Sequence, residues 1–294
     1  MNQSRDTDVL IVGAGPTGLV LALWLTRLGV RVRIIDKTAE PGTTSRALAV
    51  QARTLEFYSQ IGLSDAVVAQ GRKTIAANMW VAGKRAARAV LGEMGEGLSP
   101  FPYALIFPQD EHEQLLIERL GEVGIQIERR TELITFQDDG SRVLAELKRP
   151  DGSQETCEAA YIAGCDGAHS TVREKLQIGF PGGIYNHLFY VADVEASGAT
   201  MNGELHIALD STDFLVVFAV KGRGARAADR DSAPGSRTAT RRAVLERREP
   251  PGTGVDQHRR KTGELVLDVP RAPSGRGSFA RGFGLPARGR SPHP

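Results

Sequence analysis

The chain has 294 residues and is 41% hydrophobic, enough apolar material for about two globular cores. Its net charge of +2 hides two opposite parts, because residues 221–294 hold 17 Lys and Arg against 7 Asp and Glu, leaving 20 against 28 in residues 1–220. No apolar run approaches the roughly 20 residues of a membrane span; the two cysteines, Cys157 and Cys165, make no disulfide framework, and no His or Cys cluster has metal-ligand spacing.

Taken in order, Met1 to Thr7 is polar and has no apolar signal region, which points to the cytoplasm. Val9 to Val12 is a short β-branched run, the pattern of a strand buried on both faces. Gly13, Gly15 and Gly18 follow as G-x-G-x-x-G, with Pro16 and Thr17 between them. Leu19 to Leu28 reads as a buried helix ended by Gly29, and Val30 to Ile35 as a second strand closed by Asp36. This is the logic of a dinucleotide site. The first glycine permits the turn, the second lets backbone amides approach a pyrophosphate, and the third lets helix and strand pack closely. Asp36 stands where a carboxylate accepts hydrogen bonds from an adenosine ribose.

Lys37 to Ser45 is a polar loop containing Pro41-Gly42, and a helix is expected from Gln51 to Gln60. Thr74 to Val81 and Ala86 to Leu91 read as strands of a smaller sheet. Gln109 to Val123 reads as a helix, with Asp110 as N-cap and Glu113 completing a capping box. His112 is expected on its solvated side. Ile125 and Ile127 alternate as a strand. Leu133 to Gln137, Val143 to Leu147 and Glu155 to Ala159, joined by turns at Asp139-Gly140 and Asp151-Gly152, form an antiparallel meander. Then an apolar strand from Tyr161 runs into Cys165-Asp166-Gly167 and a short helix, Thr171 to Leu176. This is a second corner whose amides are suited to phosphates or ribitol. Cys165 reads as packing rather than reactive. Leu188 to Val194, Leu205 to Leu209 and Phe214 to Val220 read as further strands of the smaller sheet. A crevice between the two units would hold a small ligand.

Residues Asp8 to about Lys221 resemble the class A flavoprotein monooxygenases, the p-hydroxybenzoate and phenol hydroxylase type. The resemblance is carried by Gly13 to Leu19 with Asp36, by Ser45-Arg46-Ala47 followed by Gln51, and by C-D-G-A-H-S-T-V-R from Cys165 to Arg173. It implies an α/β fold: a Rossmann-like FAD-binding domain from residues 1–73 and 102–180, interwoven with a β-rich substrate domain from 74–101 and 181–220. It implies FAD with its pyrophosphate at Gly13, Gly15, Pro16, Thr17 and Gly18, and its ribose at Asp36 beside Lys37. Arg46 and Gln109 would also touch the cofactor, and Asp166 and Gly167 would serve both FAD and a passing nicotinamide. The implied activity is hydroxylation of a small, electron-rich aromatic substrate by O2, with NADPH or NADH as reductant. No side chain is needed as a nucleophile, and catalytic residues are left unassigned. Neither a nucleic acid nor a membrane is an expected partner, and a homodimer is left open. The rival readings are an FAD-dependent reductase or dehydrogenase of the same fold, and a non-catalytic dinucleotide-binding fragment with a basic tail.

The family's later Gly-Asp motif, whose aspartate binds the ribityl chain, is missing. Residues 221–294 are Arg-, Pro- and Gly-rich with little periodicity, and as written read as an irregular or disordered tail. They also have an out-of-frame reading. With suitable synonymous codons and one base dropped, the nine residues from Arg223 read EGRARLIGT, Glu264 to Arg276 reads NWFSTYRVHHRVA, and Arg281 to Leu285 reads EGSVF, all family-like. Weak FAD retention, poor solubility and little hydroxylation are therefore expected of this exact chain.

Overall fold

A computed structural model describes residues 7–42, 47–183, 188–197, 202–209, 213–221, 239–247 and 266–268. In chain order the elements begin with β1 (Thr7–Val12), α1 (Pro16–Arg27), β2 (Val32–Asp36), β3 (Ala49–Val50), α2 (Ala52–Gln60) and α3 (Ser64–Gln70). Next come β4 (Arg72–Thr74), β5 (Ala76–Val81), β6 (Lys84–Val90), α4 (Leu91–Met94) and β7 (Ala104–Ile106). Then follow α5 (Gln109–Glu122), β8 (Ile127–Arg129), β9 (Glu132–Asp138), β10 (Val143–Lys148), β11 (Gln154–Gly164) and, after a 3-10 turn, α6 (Thr171–Lys175). The last strands are β12 (Leu188–Ser197), β13 (Leu205–Leu209), β14 (Asp213–Ala219), β15 (Ala239–Arg247) and β16 (Val266–Asp268). Two compact units result, one from residues 1–48, 60–63 and 108–183, the other from 49–59, 64–107 and 184–294.

The first unit is built on a six-stranded sheet in the order β8-β2-β1-β11-β10-β9. β1 lies inside it, parallel to β2 on one side and β11 on the other. That position explains its unbroken apolar run: Leu10 and Ile11, which point to opposite faces, are both fully buried. At roughly 1.5–3 kcal/mol for each large apolar side chain buried, this strand anchors the unit. On one face Leu10, Val12 and Ile35 pack with Leu133, Ala145, Leu147, Cys157, Ala159 and Val172. α1, whose Leu19 and Ala22 are buried, packs against α5. Gly29 ends α1 in the left-handed region, at φ +76°.

β11 differs from the expectation of two separate strands. It is one run of 11 residues. Its first half pairs antiparallel with β10, Gln154 to Ala159 against Lys148 to Val143, and its second half pairs parallel with β1, Ala159 to Gly164. The meander is therefore hydrogen-bonded into the parallel sheet through a shared strand. Side chains reinforce the join. Arg33 on β2 donates to Glu128 on β8 at 2.7 and 2.8 Å and to Glu155 on β11 at 2.7 Å, and Arg149 donates to the same two carboxylates.

α5 corrects two expectations. Its N-cap is Pro108, and no side chain caps it. Asp110 falls inside the first turn, and Glu113 accepts a 2.7 Å bond from the Gln109 side chain instead of closing a capping box. His112 is buried, not solvated. Desolvation holds its imidazole down to about 4. The polar look of the residues around His112 misplaced it, since which face of a helix is buried is decided by tertiary contact rather than local polarity.

The second unit carries a seven-stranded sheet in the order β16-β12-β15-β14-β13-β5-β6 and a small sheet β3-β7-β4. The strand expected over Thr74 to Val81 is split at Ile75 between these two sheets. Two stretches of the tail, β15 and β16, pair into the larger sheet where irregular chain is expected. Ala243-Val244-Leu245 is a short apolar run in the tail, and it pairs between β12 and β14. The rest of the tail beyond Lys221 lies outside the described residues. None of the described helices is long and apolar enough to cross a membrane.

Candidate functional site

The site lies at the C-terminal ends of β2, β1 and β11, which are neighbours in the first unit's sheet. β1 ends in Gly13, at φ +103°, a conformation open to glycine. Gly13 donates to the Ile35 carbonyl at 2.8 Å, and Cys165 donates to the Val12 carbonyl at 2.7 Å, so the ends of all three strands are tied together. A Cβ at Gly13 would overlap the Cys165 carbonyl and come within 2.8 Å of the Asp166 Cα. The first glycine therefore serves two needs, the turn and the close approach of the Cys165-Asp166-Gly167 corner. A Cβ at Gly18 would overlap the Gly13 carbonyl and lie 3.3 Å from the Cys165 Cβ, which is the tight helix-to-strand packing expected of the third glycine.

Gly15 is different. A Cβ there would meet nothing within 4 Å, and its φ of −78° suits any residue. Neither fold strain nor packing among the described residues calls for glycine here, and the open space in front of it is a cradle that a side chain would fill. Gly15 is also the N-cap of α1, makes no side-chain capping bond, and is followed by Pro16, which has no N–H. The amides of Thr17 and Gly18 open the helix with no capping side chain or acidic residue in the first turn, so the positive end of a 12-residue helix faces that space. An anionic diphosphate fits it.

Asp36 closes β2 half-buried. Oδ2 accepts from the Ala14 amide at 2.7 Å, and Oδ1 accepts from the Thr38 amide at 2.7 Å and the Thr38 hydroxyl at 2.6 Å. Burial pushes this carboxyl's pKa up, but the bonds from Thr38 and Ala14, with Arg129 nearby, outweigh it and leave it below the ordinary value. The group is thus an ionised acceptor. Lys37 beside it is exposed.

At the second corner, Gly167 has φ +78° and needs glycine. The Thr171 and Val172 amides donate to Asp166 Oδ2 at 2.7 and 3.4 Å, and the Arg173 amide to the Ser170 hydroxyl at 3.0 Å. The amides read as donors to a ligand are therefore taken within the corner. What remains is Asp166 Oδ1, buried and with no hydrogen-bond partner among the described residues. Such an orphan acceptor is costly and points to a donor supplied from outside. Burial first, then Asp166, pushes the Cys165 thiol up, in keeping with a packing role.

Of the expected residues, Gly13, Gly15, Pro16, Thr17, Gly18, Asp36, Asp166 and Gly167 come together here. Gln109 opens α5 in the same unit, donating from its amide to the Ala47 carbonyl at 3.0 Å and from its side chain to Glu113. Arg46 lies outside the described residues. Sequence reasoning missed Ala14, Thr38 and Arg129. Thr38 had a usable local signal, a hydroxyl two residues after a carboxylate; Arg129 had none short of the strand pairing. Among the described residues no group of three or more His, Cys, Asp or Glu side chains is placed to hold a metal.

Residues 6–243 match the family described as FAD binding domain. A 6-methylpretetramide 4-monooxygenase of Streptomyces rimosus is 45% identical over 174 residues, 59% of this chain and 31% of that protein. A rifampicin monooxygenase of Rhodococcus hoagii is 36% identical over 214 residues, 72% of this chain and 40% of that protein. The p-nitrophenol 4-monooxygenase of Pseudomonas putida shares the fold, with a TM-score of 0.70 at 23% identity over 84% of this chain and 59% of that chain. The chain spans about a third to two fifths of the length of these curated relatives. With the glycine turn, the ionised Asp36 and the Asp-Gly corner in place, the chain belongs to this FAD-binding family.

Proposed function

We propose that this chain carries the adenosine-diphosphate side of the FAD site of a cytoplasmic monooxygenase that hydroxylates a phenol-like aromatic compound with NAD(P)H and O2. One observation carries the reading: Gly13 packs directly on Cys165 and Asp166, so the phosphate cradle and the orphan Asp166 acceptor share one site. FAD, when bound, supplies the redox chemistry with NAD(P)H and O2. The chain's own residues bind and orient. The Thr17 and Gly18 amides face the diphosphate across the open side of Gly15. Asp36 accepts from the ribose hydroxyls. Asp166 Oδ1 accepts from the ribityl side, next to the tight turn at Gly167. The test, on protein made with the alternative frame restored after Gly222, is NAD(P)H oxidation that depends on an added phenol and yields a product carrying oxygen from O2. Oxidation with no oxygen transfer would make the protein a reductase instead.

The out-of-frame tail belongs to the same proposal. In the frame that turns Glu264 to Arg276 into NWFSTYRVHHRVA, the codons of Arg288 to His293 can read GDAAH, the Gly-Asp pair otherwise missing. Resequencing the gene tests this, and codons in an intact frame that cannot yield GDAAH would overturn it.

A further inference from the structure

We infer that Arg129 and Thr38 are positioning residues that hold the Asp36 carboxylate for the adenosine ribose, acting through Asp36 without touching the dinucleotide. The inference rests on the FAD reading above and adds residues which that reading does not use.

β2 and β8 pair in parallel with Asp36 opposite Arg129. The side chains are 14% and 19% exposed, with Arg129 Nη1 3.7 Å from Asp36 Oδ1 and 3.3 Å from the Thr38 hydroxyl oxygen. That hydroxyl accepts from the arginine and donates to Asp36, so Thr38 bridges the two charges. The Nη1 contacts of Arg129 are thus with Asp36 and with the hydroxyl that bonds it. The backbone adds to the clamp. In the β8–β9 turn, where Arg130 sits at φ +54°, the Arg130 and Thr131 amides donate to the Thr38 and Asp36 carbonyls at 3.1 and 3.0 Å.

A carboxylate oxygen has two acceptor directions. At Oδ1 both are occupied by Thr38, with Arg129 behind. At Oδ2 one is occupied by Ala14, which leaves the other for a ligand hydroxyl. Thr38 and Arg129 thereby fix which oxygen faces the site and in which rotamer. A functional group held this way by its neighbours binds without first having to be ordered.

The test is equilibrium titration of the full chain with FAD, followed by flavin fluorescence. Arg129→Ala is expected to weaken binding about tenfold and Thr38→Val by a similar factor. Arg129→Lys regains most of the loss. In an Asp36→Asn background, Arg129→Ala changes affinity less than about twofold, because its route of action is gone. If Arg129→Ala fails to fold by circular dichroism, Thr38→Val in the two backgrounds carries the same test. Unchanged FAD affinity in Arg129→Ala and Thr38→Val, or an equal loss with and without Asp36, would overturn the inference alone. A parent chain that binds no FAD would overturn the reading beneath it.

Discussion

Two glycines on either side of Ala14 separate folding from binding. At Gly13 a methyl group would strike the Cys165 carbonyl in a left-handed backbone, so Gly13→Ala is expected to cost about 3 kcal/mol of stability or more. At Gly15 a methyl group would meet nothing and the backbone already suits alanine. Gly15→Ala should therefore melt within about 0.5 kcal/mol of the parent, yet bind FAD at least about tenfold more weakly. Thermal melts alongside FAD titration check the pair. His112 makes a pH prediction. Its folded pKa of about 4 lies below the ordinary 6.5 because it is buried neutral. Between those values the unfolded chain binds a proton that the folded chain refuses. The stability is complete above about pH 6.5 and is lost as pH falls toward 4, by about 3 kcal/mol in all. Urea melts from pH 7.5 to 4.5 should show a shallower decline in His112→Leu than in the parent. At this scale the glycines were legible because their spacing is local. His112 was not, because its burial is set by tertiary contact and leaves no mark in its neighbours.

At the scale of elements, the join between meander and parallel sheet rests on β11 and on the charged cluster around Arg33. Removing Arg33 leaves Glu128 and Glu155 short of a partner, but Arg149 stays within 3.0 and 2.9 Å of them. Glu128 and Glu155 are each about a third exposed, at 31% and 34%, and both keep Arg149, so the fully buried cost of ~3–5 kcal/mol does not apply. Arg33→Met is expected to lower stability by about 1–2 kcal/mol, measured by chemical denaturation. The strands themselves were legible from alternation and turn residues. That Glu155 to Ala159 and Tyr161 onward are one strand was not, because a strand that changes partners midway changes burial pattern midway. Nor was Arg129 opposite Asp36, since it lies 91 residues from Thr38 and its place depends on β8 pairing with β2.

For the whole molecule, a chain spanning about a third to two fifths of its curated relatives is proposed to hold one end of a long cofactor. Weak retention of FAD through purification and saturable binding at equilibrium are then both expected. Restoring the alternative frame after Gly222 should raise FAD affinity and bring substrate-dependent turnover, read as the flavin content of purified protein and as NAD(P)H consumption. If the glycine turn and the Asp-Gly corner grip a single dinucleotide, an FAD titration of the parent chain beside Gly15→Ala and Asp36→Asn will show it. One saturable site per chain is expected in the parent, weakened in both variants, while the melt of Gly15→Ala stays near the parent's. Absence of binding in the parent, or equal binding in all three, would contradict it.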